Sequence, residues 1–311
     1  MAKLAQRNEQ IAATARARRQ QRPRLVAENS VFWVACYLAI LKLGAVATFR
    51  CVCPPSRSTP RWHYGQRQGV LMAANGAASP AALPAEYTLL VDQQPPSLSR
   101  EVVLPGDDAP VPTCPVVARD DMAALMFTSG STGQQRQGEP PSSPPTPTRS
   151  SNILNSRRQT ASWRSCRSNT ASGASLLHTH LRVGGSLVLR TPFTYLKEDL
   201  LESSLTSRHT GIAGVPSSYQ HRRAAPAPNR RFPHLRYVQQ AGGRLPDAFI
   251  REFLTSQPNA VLPDVRADRG DRAPVVPPAG TPRRQARLTG RGIPGVRLSV
   301  LDADGSPGQT R

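Results

Sequence analysis

Apolar residues along this 311-residue chain fall into short runs with helical or strand spacing, separated by long polar stretches. Residues 8–20 put Ile11, Ala12 and Ala15 on one face and arginines on the other, which predicts a helix. After Pro23, Leu25-Val26-Ala27 predicts a short strand. Asn29 or Ser30 then caps the next helix by accepting a hydrogen bond from a free first-turn amide. That helix, Val31 to Leu43, is apolar nearly all round and stops at Gly44, a position suited to a left-handed C-cap. It is shorter than the roughly 20 residues of a membrane span and contains Lys42, so it is expected to lie buried on a sheet. No membrane span is expected.

Between Phe49 and Gly69 the pattern is lost. It returns as the strands Val70-Leu71-Met72 and Tyr87 to Val91, and again in the run that follows Asp120-Asp121 and ends at Phe127. From Gly173 onward the reading is a helix over Ala174 to Leu181, a turn at Gly184-Gly185 and a strand over Ser186 to Leu189. A helix over Lys197 to Thr206 and a strand over Gly211 to Val215 follow. Leu235 to Gln239 is a further strand, and Asp247 is placed to cap a helix reaching Leu254. Strands alternating with helices predict an α/β fold with mainly parallel sheets flanked by helices. Ligand loops in such sheets lie at the carboxyl ends of the strands.

Composition changes this picture in three windows. Residues 49–69, 134–172 and 257–291 hold 17 of the 40 basic residues but only 4 of the 20 acidic ones, so they carry +13 of the net charge of +20. They are rich in proline and serine and lack apolar periodicity, which predicts disordered Pro/Arg-rich segments. Because the charge concentrates there and no nucleic-acid-binding module is recognisable, nucleic acid is not the expected partner. Arginine dominates, with Lys3, Lys42 and Lys197 the only lysines; Arg, Pro, Ala and Gly share GC-rich codons. The five cysteines (Cys36, Cys51, Cys53, Cys114, Cys166) lack paired metal spacing and imply neither a metal site nor a disulfide framework. The first residues lack the apolar core of a secretion signal, so a cytoplasmic location is expected.

The candidate chemistry sits in Thr128-Ser129-Gly130-Ser131-Thr132-Gly133, immediately after the apolar run Leu125-Met126-Phe127. Glycines let backbone amides turn inward and hydroxyls add donors, so such a loop can wrap a phosphate chain; a Ser/Gly linker is the plain alternative. His178 and His180 read as packing or surface residues.

Thr128 to Arg136 resembles the phosphate loop of the adenylate-forming superfamily, the acyl-CoA synthetases and their relatives. Ala27 to Val46 is similar to the family's early helix, Gly242-Gly243 to its adenine-facing loop, and Gly290 to Gly295 with Val300-Leu301-Asp302 to a later turn and strand. The resemblance implies an N-terminal adenylation-type domain over 1–311, with ATP, Mg2+ and coenzyme A as cofactors and a small-molecule carboxylic acid as substrate. It assigns Thr128 to Gly133 and Arg136 to pyrophosphate, Gly242, Gly243 and Arg244 to the adenine and acyl pocket, and Val215, Pro216 and Ser217 to a pocket wall.

The departures from the family are equally specific. Gln135, Arg136 and Gln137 stand for the usual Pro-Lys-Gly. The aromatic-Gly segment before Gly173 and the Tyr-Gly-x-Thr-Glu motif after Leu254, whose Glu binds magnesium in the family, are absent. The chain also ends before the family's ribose-binding Asp and small C-terminal domain, which the resemblance therefore implies to be missing. Dropping the first base of the Asp264 codon lets codons 264–282 regroup into a reading that contains Tyr-Gly-Gln-Thr-Glu. The opposite regrouping over Thr160 to Ser172 permits an apolar strand followed by Pro-Phe. The windows are therefore read as frame-shifted coding sequence, from a decayed gene or an error in its reading, and the polypeptide is expected to be inactive.

Overall fold

The computed structural model describes residues 8–9, 11–12, 22–26, 29–49, 69–73, 87–91, 115–118, 121–127, 137–138, 161–164, 171–189, 210–214, 216, 219–220, 232–240, 246–257, 275–276, 291–292 and 306. The chain divides into two compact units. One comprises Met1–Pro144, Arg167–Ala174 and Leu189–Phe193; the other comprises Pro145–Cys166, Ser175–Val188 and Thr194–Arg311.

In the first unit, strand β1 (Arg24–Val26) leads to helix α1 (Val31–Lys42) and strand β2 (Ala47–Phe49), which pairs parallel to β1. Strands β3 (Gly69–Ala73), β4 (Tyr87–Val91) and β5 (Ala124–Phe127) extend the parallel sheet. The two-residue strand β6 (Gln137–Gly138) closes it antiparallel, giving the order β4-β3-β1-β2-β5-β6 among the described residues.

Helix α1 starts where the Ser30 hydroxyl accepts a hydrogen bond from Trp33 N at 3.1 Å. It ends in a Schellman motif: Gly44 N donates to Leu41 O at 3.0 Å and Ala45 N to Ile40 O at 3.1 Å. Gly44 has φ 63°, a left-handed value that a Cβ would oppose. The helix buries Phe32 to Tyr37, Ala39 and Ile40 because it is covered from more than one side. It packs on β1 and β2, while the helical residues at the amino terminus add Asn8 Nδ2 donating to Ala35 O at 3.1 Å and a Lys42–Glu9 ion pair at 3.3 Å. Ile11 and Ala12 are buried in the same region. The all-round apolar character therefore reflects packing inside the protein, and no helix among the described residues is long and apolar enough to cross a membrane.

The second unit repeats the scheme. Strand β7 (Ala161–Arg164) precedes helix α2 (Ala171–Arg182) and strand β8 (Ser186–Val188), again a parallel neighbour. The helix ends with Gly184 N donating to Leu181 O and Gly185 N to His180 O, with Gly184 at φ 67°. Strands β9 (Gly211–Gly214) and β10 (Tyr237–Gln240) complete an all-parallel sheet in the order β10-β9-β7-β8. Helix α3 (Asp247–Ser256) follows β10.

Alternation along the strands puts a helix on each face of this sheet. Ile212 and Val238 join Tyr219, Phe232, Leu235 and Phe253 of α3 in one cluster. Ala213 faces the other way, against Leu176 of α2 and Leu187. Tyr237, adjacent to Val238, likewise turns to α2 and meets His180 at 3.2 Å.

Three expectations change. Asp247 is the first helical residue of α3 and not its cap; Pro246 occupies that place and supplies no side-chain hydrogen bond. The window beginning at 257 is ordered at its first residue, since Gln257 is buried and its Oε1 accepts a hydrogen bond from Phe232 N at 2.9 Å. The Pro/Arg-rich windows also contain backbone pairing, with β6 and β7 inside 134–172, and β11 (Val275–Val276) inside the third window pairing antiparallel to β12 (Arg291–Gly292), which starts at its last residue. The predicted helix over Lys197 to Thr206 lies outside the described residues.

Candidate functional site

In the first unit the sheet delivers one candidate loop. β5 is buried at Ala124 and Leu125 and pairs parallel to β2 through Ala47–Ala124 and Thr48–Leu125. It ends at Phe127, and the chain returns as β6, with Met126 opposite Gly138 and Phe127 opposite Gln137. Thr128, Ser129, Gly130, Ser131, Thr132, Gly133 and Arg136 thus fall between the two arms of an antiparallel pair, at the carboxyl edge of a parallel strand. They lie outside the described residues.

In the second unit β9 and β10 are adjacent and parallel, in the register Ala213–Gln239 and Gly214–Gln240. The chain therefore leaves β9 after Gly214 and β10 after Gln240 at the same edge of the sheet; Val215, Pro216 and Ser217 follow the first in sequence, and Gly242, Gly243 and Arg244 the second. Of these six only Pro216 is described, in helical conformation and half-buried. Tyr219, three residues on, is buried. Its hydroxyl donates to the Gln239 carbonyl, and its ring packs edge-on to Phe253 with centroids 6.2 Å apart. Sequence reasoning passed over Tyr219 because a tyrosine after Pro-Ser-Ser has no distinctive spacing.

The two histidines are structural. His180 is fully buried, with Nδ1 2.8 Å from Leu176 O. A carbonyl can only accept, so Nδ1 carries a proton and, in the neutral ring, Nε2 accepts from the Tyr237 hydroxyl. Burial pushes the His178 pKa down. Desolvation likewise pushes the Tyr37 phenol up, keeping it neutral within the α1 core.

The sequence profile of the AMP-binding enzymes matches residues 2–136. Comparison with curated proteins gives no match. Among solved structures, the chain is similar to the anthranilate CoA ligase AuaEII in complex with anthranoyl-AMP, with 18% identity and a TM-score of 0.81, covering 99% of this chain and 61% of that one. It is similar to the long-chain-fatty-acid-CoA ligase FadD1 from Archaeoglobus fulgidus, with 13% identity and a TM-score of 0.79, covering 98% and 65%. The inhibitor-bound N-terminal domain of FACL13 from Mycobacterium tuberculosis gives 17% identity and a TM-score of 0.75, covering 98% and 78%. The chain thus spans less than two thirds of the first two ligases and more of the isolated domain. Residues 2–136 thus match the AMP-binding enzymes in sequence, and the chain has the α/β fold of the N-terminal domains of CoA ligases.

Proposed function

We propose that this chain is an adenylation-type ligase domain of the acyl-CoA synthetase kind that retains a phosphate-binding loop but does not turn over. In the parent reaction a carboxylate oxygen attacks the α-phosphorus of ATP, the bond to the β-phosphate oxygen breaks, and pyrophosphate leaves. A thiol such as that of coenzyme A then displaces AMP from the acyl-adenylate.

The observation that carries the reading is the placement of Thr128 to Gly133 directly after Phe127, at the carboxyl edge of β5, within the segment that matches the family. Backbone amides beside glycines and four hydroxyls suit the pyrophosphate oxygens, and Arg136 adds a guanidinium. Gly242, Gly243 and Arg244 line the adenine and acyl pocket in this proposal, and Val215, Pro216 and Ser217 form one wall of it. The acids for which similar ligases are named, anthranilate and long-chain fatty acids, support a carboxylic acid as acyl donor. Magnesium fits less well. Residues 257–291 contain no glutamate to serve as the family's ligand, and no step is assigned to the ion.

Strand β7 supports the interruption. It lies between β8 and β9, a place where parallel sheets take near-continuous apolar runs, yet it reads Ala-Ser-Trp-Arg. Codon degeneracy permits a regrouped reading across it of Ile-Met-Ala-Val. Displaced reading frames in 134–172 and 257–291 would remove the aromatic-Gly segment and the Glu motif while leaving the loop at 128–133 intact.

ATP–pyrophosphate exchange with a panel of carboxylic acids, run beside equilibrium ATP binding, tests this proposal. The expected outcome is saturable binding without acid-dependent exchange. Exchange would overturn the interruption, and absence of binding would make the chain a remnant without function. Nucleic-acid binding is the weaker alternative, because +13 of the net charge of +20 sits in the three patternless windows; a salt-dependent gel shift would be needed to support it.

A further inference from the structure

We propose that Tyr219 is a positioning residue that ties the chain leaving β9 to the exit of β10, and so sets how the second unit meets adenine; the last clause rests on the function proposed above. Ligands in parallel α/β sheets bind beyond the carboxyl ends of the strands. Two such ends stand side by side here, at Gly214 and Gln240. Tyr219 belongs to the chain leaving β9, and its hydroxyl donates to the carbonyl of Gln239, the penultimate residue of β10. That carbonyl lies three residues before Gly242.

The tyrosine is itself held. Its ring sits edge-on to Phe253 of α3 and belongs to the cluster of Ile212, Phe232, Leu235 and Val238. Gln257, at the end of the same helix, binds Phe232 N. One side chain thus joins α3, the exit of β9 and the exit of β10. Phenylalanine could fill the same cluster, so the bond to the Gln239 carbonyl is the contact among these that depends on the hydroxyl. A purely packing role would leave the hydroxyl dispensable.

The test compares Tyr219→Phe with Phe253→Leu in the full chain, measuring AMP and pyrophosphate binding separately, with hydrogen exchange of the peptides covering 215–220 and 239–245. Loss of the hydroxyl should weaken AMP about fivefold, the size of one net hydrogen bond, while pyrophosphate affinity stays the same. It should also speed exchange in those two peptides alone. Phe253→Leu, which removes the ring partner and keeps the hydroxyl, should lower the melting temperature without this selective loss. Equal losses for both ligands, or none, would overturn the proposal. If the unaltered chain binds neither ligand, the nucleotide reading fails and exchange alone decides the coupling: faster exchange confined to the two peptides supports it, and uniform or unchanged exchange refutes it.

Discussion

His180 of α2 and Tyr237 of β10 meet at 3.2 Å, and this buried contact joins a helix to an edge strand of its sheet across 57 residues of sequence. The histidine is also tied to its own helix through Leu176 O, so its ring cannot turn away without losing a second bond. Tyr237→Phe leaves a buried ring nitrogen without this donor, and His180→Leu leaves a buried hydroxyl without its acceptor. Each should cost about 1–3 kcal/mol, whereas the double variant should cost clearly less than the sum. Urea unfolding of the four proteins in the cycle measures this directly.

His178 makes stability depend on pH. Burial lowers its folded-state pKa below the ordinary value of 6.5, so the unfolded chain binds the proton more readily. Stability is therefore full above about pH 6.5 and declines as the pH falls below it, until the folded-state ring also protonates. In His178→Gln the slope over that interval should flatten, as read from thermal midpoints between pH 5 and 8. An unchanged slope would assign the pH dependence to other groups.

The caps of α1 give a third expectation. Ser30→Ala removes the acceptor for Trp33 N and should cost about 1 kcal/mol. Gly44→Ala forces a Cβ into a left-handed conformation at φ 63° and should cost about 1–2 kcal/mol. Because α1 connects β1 to β2, both losses should appear as earlier unfolding of the first unit, followed by near-ultraviolet signals from Trp33, whose ring stacks on Tyr37 at 5.3 Å.

Much of this fold was legible where local chemistry and tertiary role agree. Ser30, the apolar run from Val31 and Gly44 together specify α1 from cap to cap, and Gly184-Gly185 does the same for the end of α2. The alternation of helix and strand led to parallel sheets for the same reason. What local pattern could not show was long-range pairing. The amide-to-backbone bond from Gln257 to Phe232 and the hydroxyl of Tyr219 on Gln239 depend on residues 25 and 20 positions away, with no periodic signature. β7 was missed for a different reason: Ala-Ser-Trp-Arg has no apolar period, and its strand state follows from the neighbours on either side, β8 and β9. The candidate loop was legible from its glycines and hydroxyls, whereas a Tyr-Gly-x-Thr-Glu motif after Leu254 is not written in the sequence.

The central claim is that a phosphate-binding adenylation fold persists here while its catalytic segments are displaced. The most direct measurement is carboxylate-dependent ATP–pyrophosphate exchange by this chain, run beside its equilibrium binding of ATP. The account predicts saturable binding of ATP with no exchange above the acid-free blank. Acid-dependent exchange, or no binding of ATP, would contradict it.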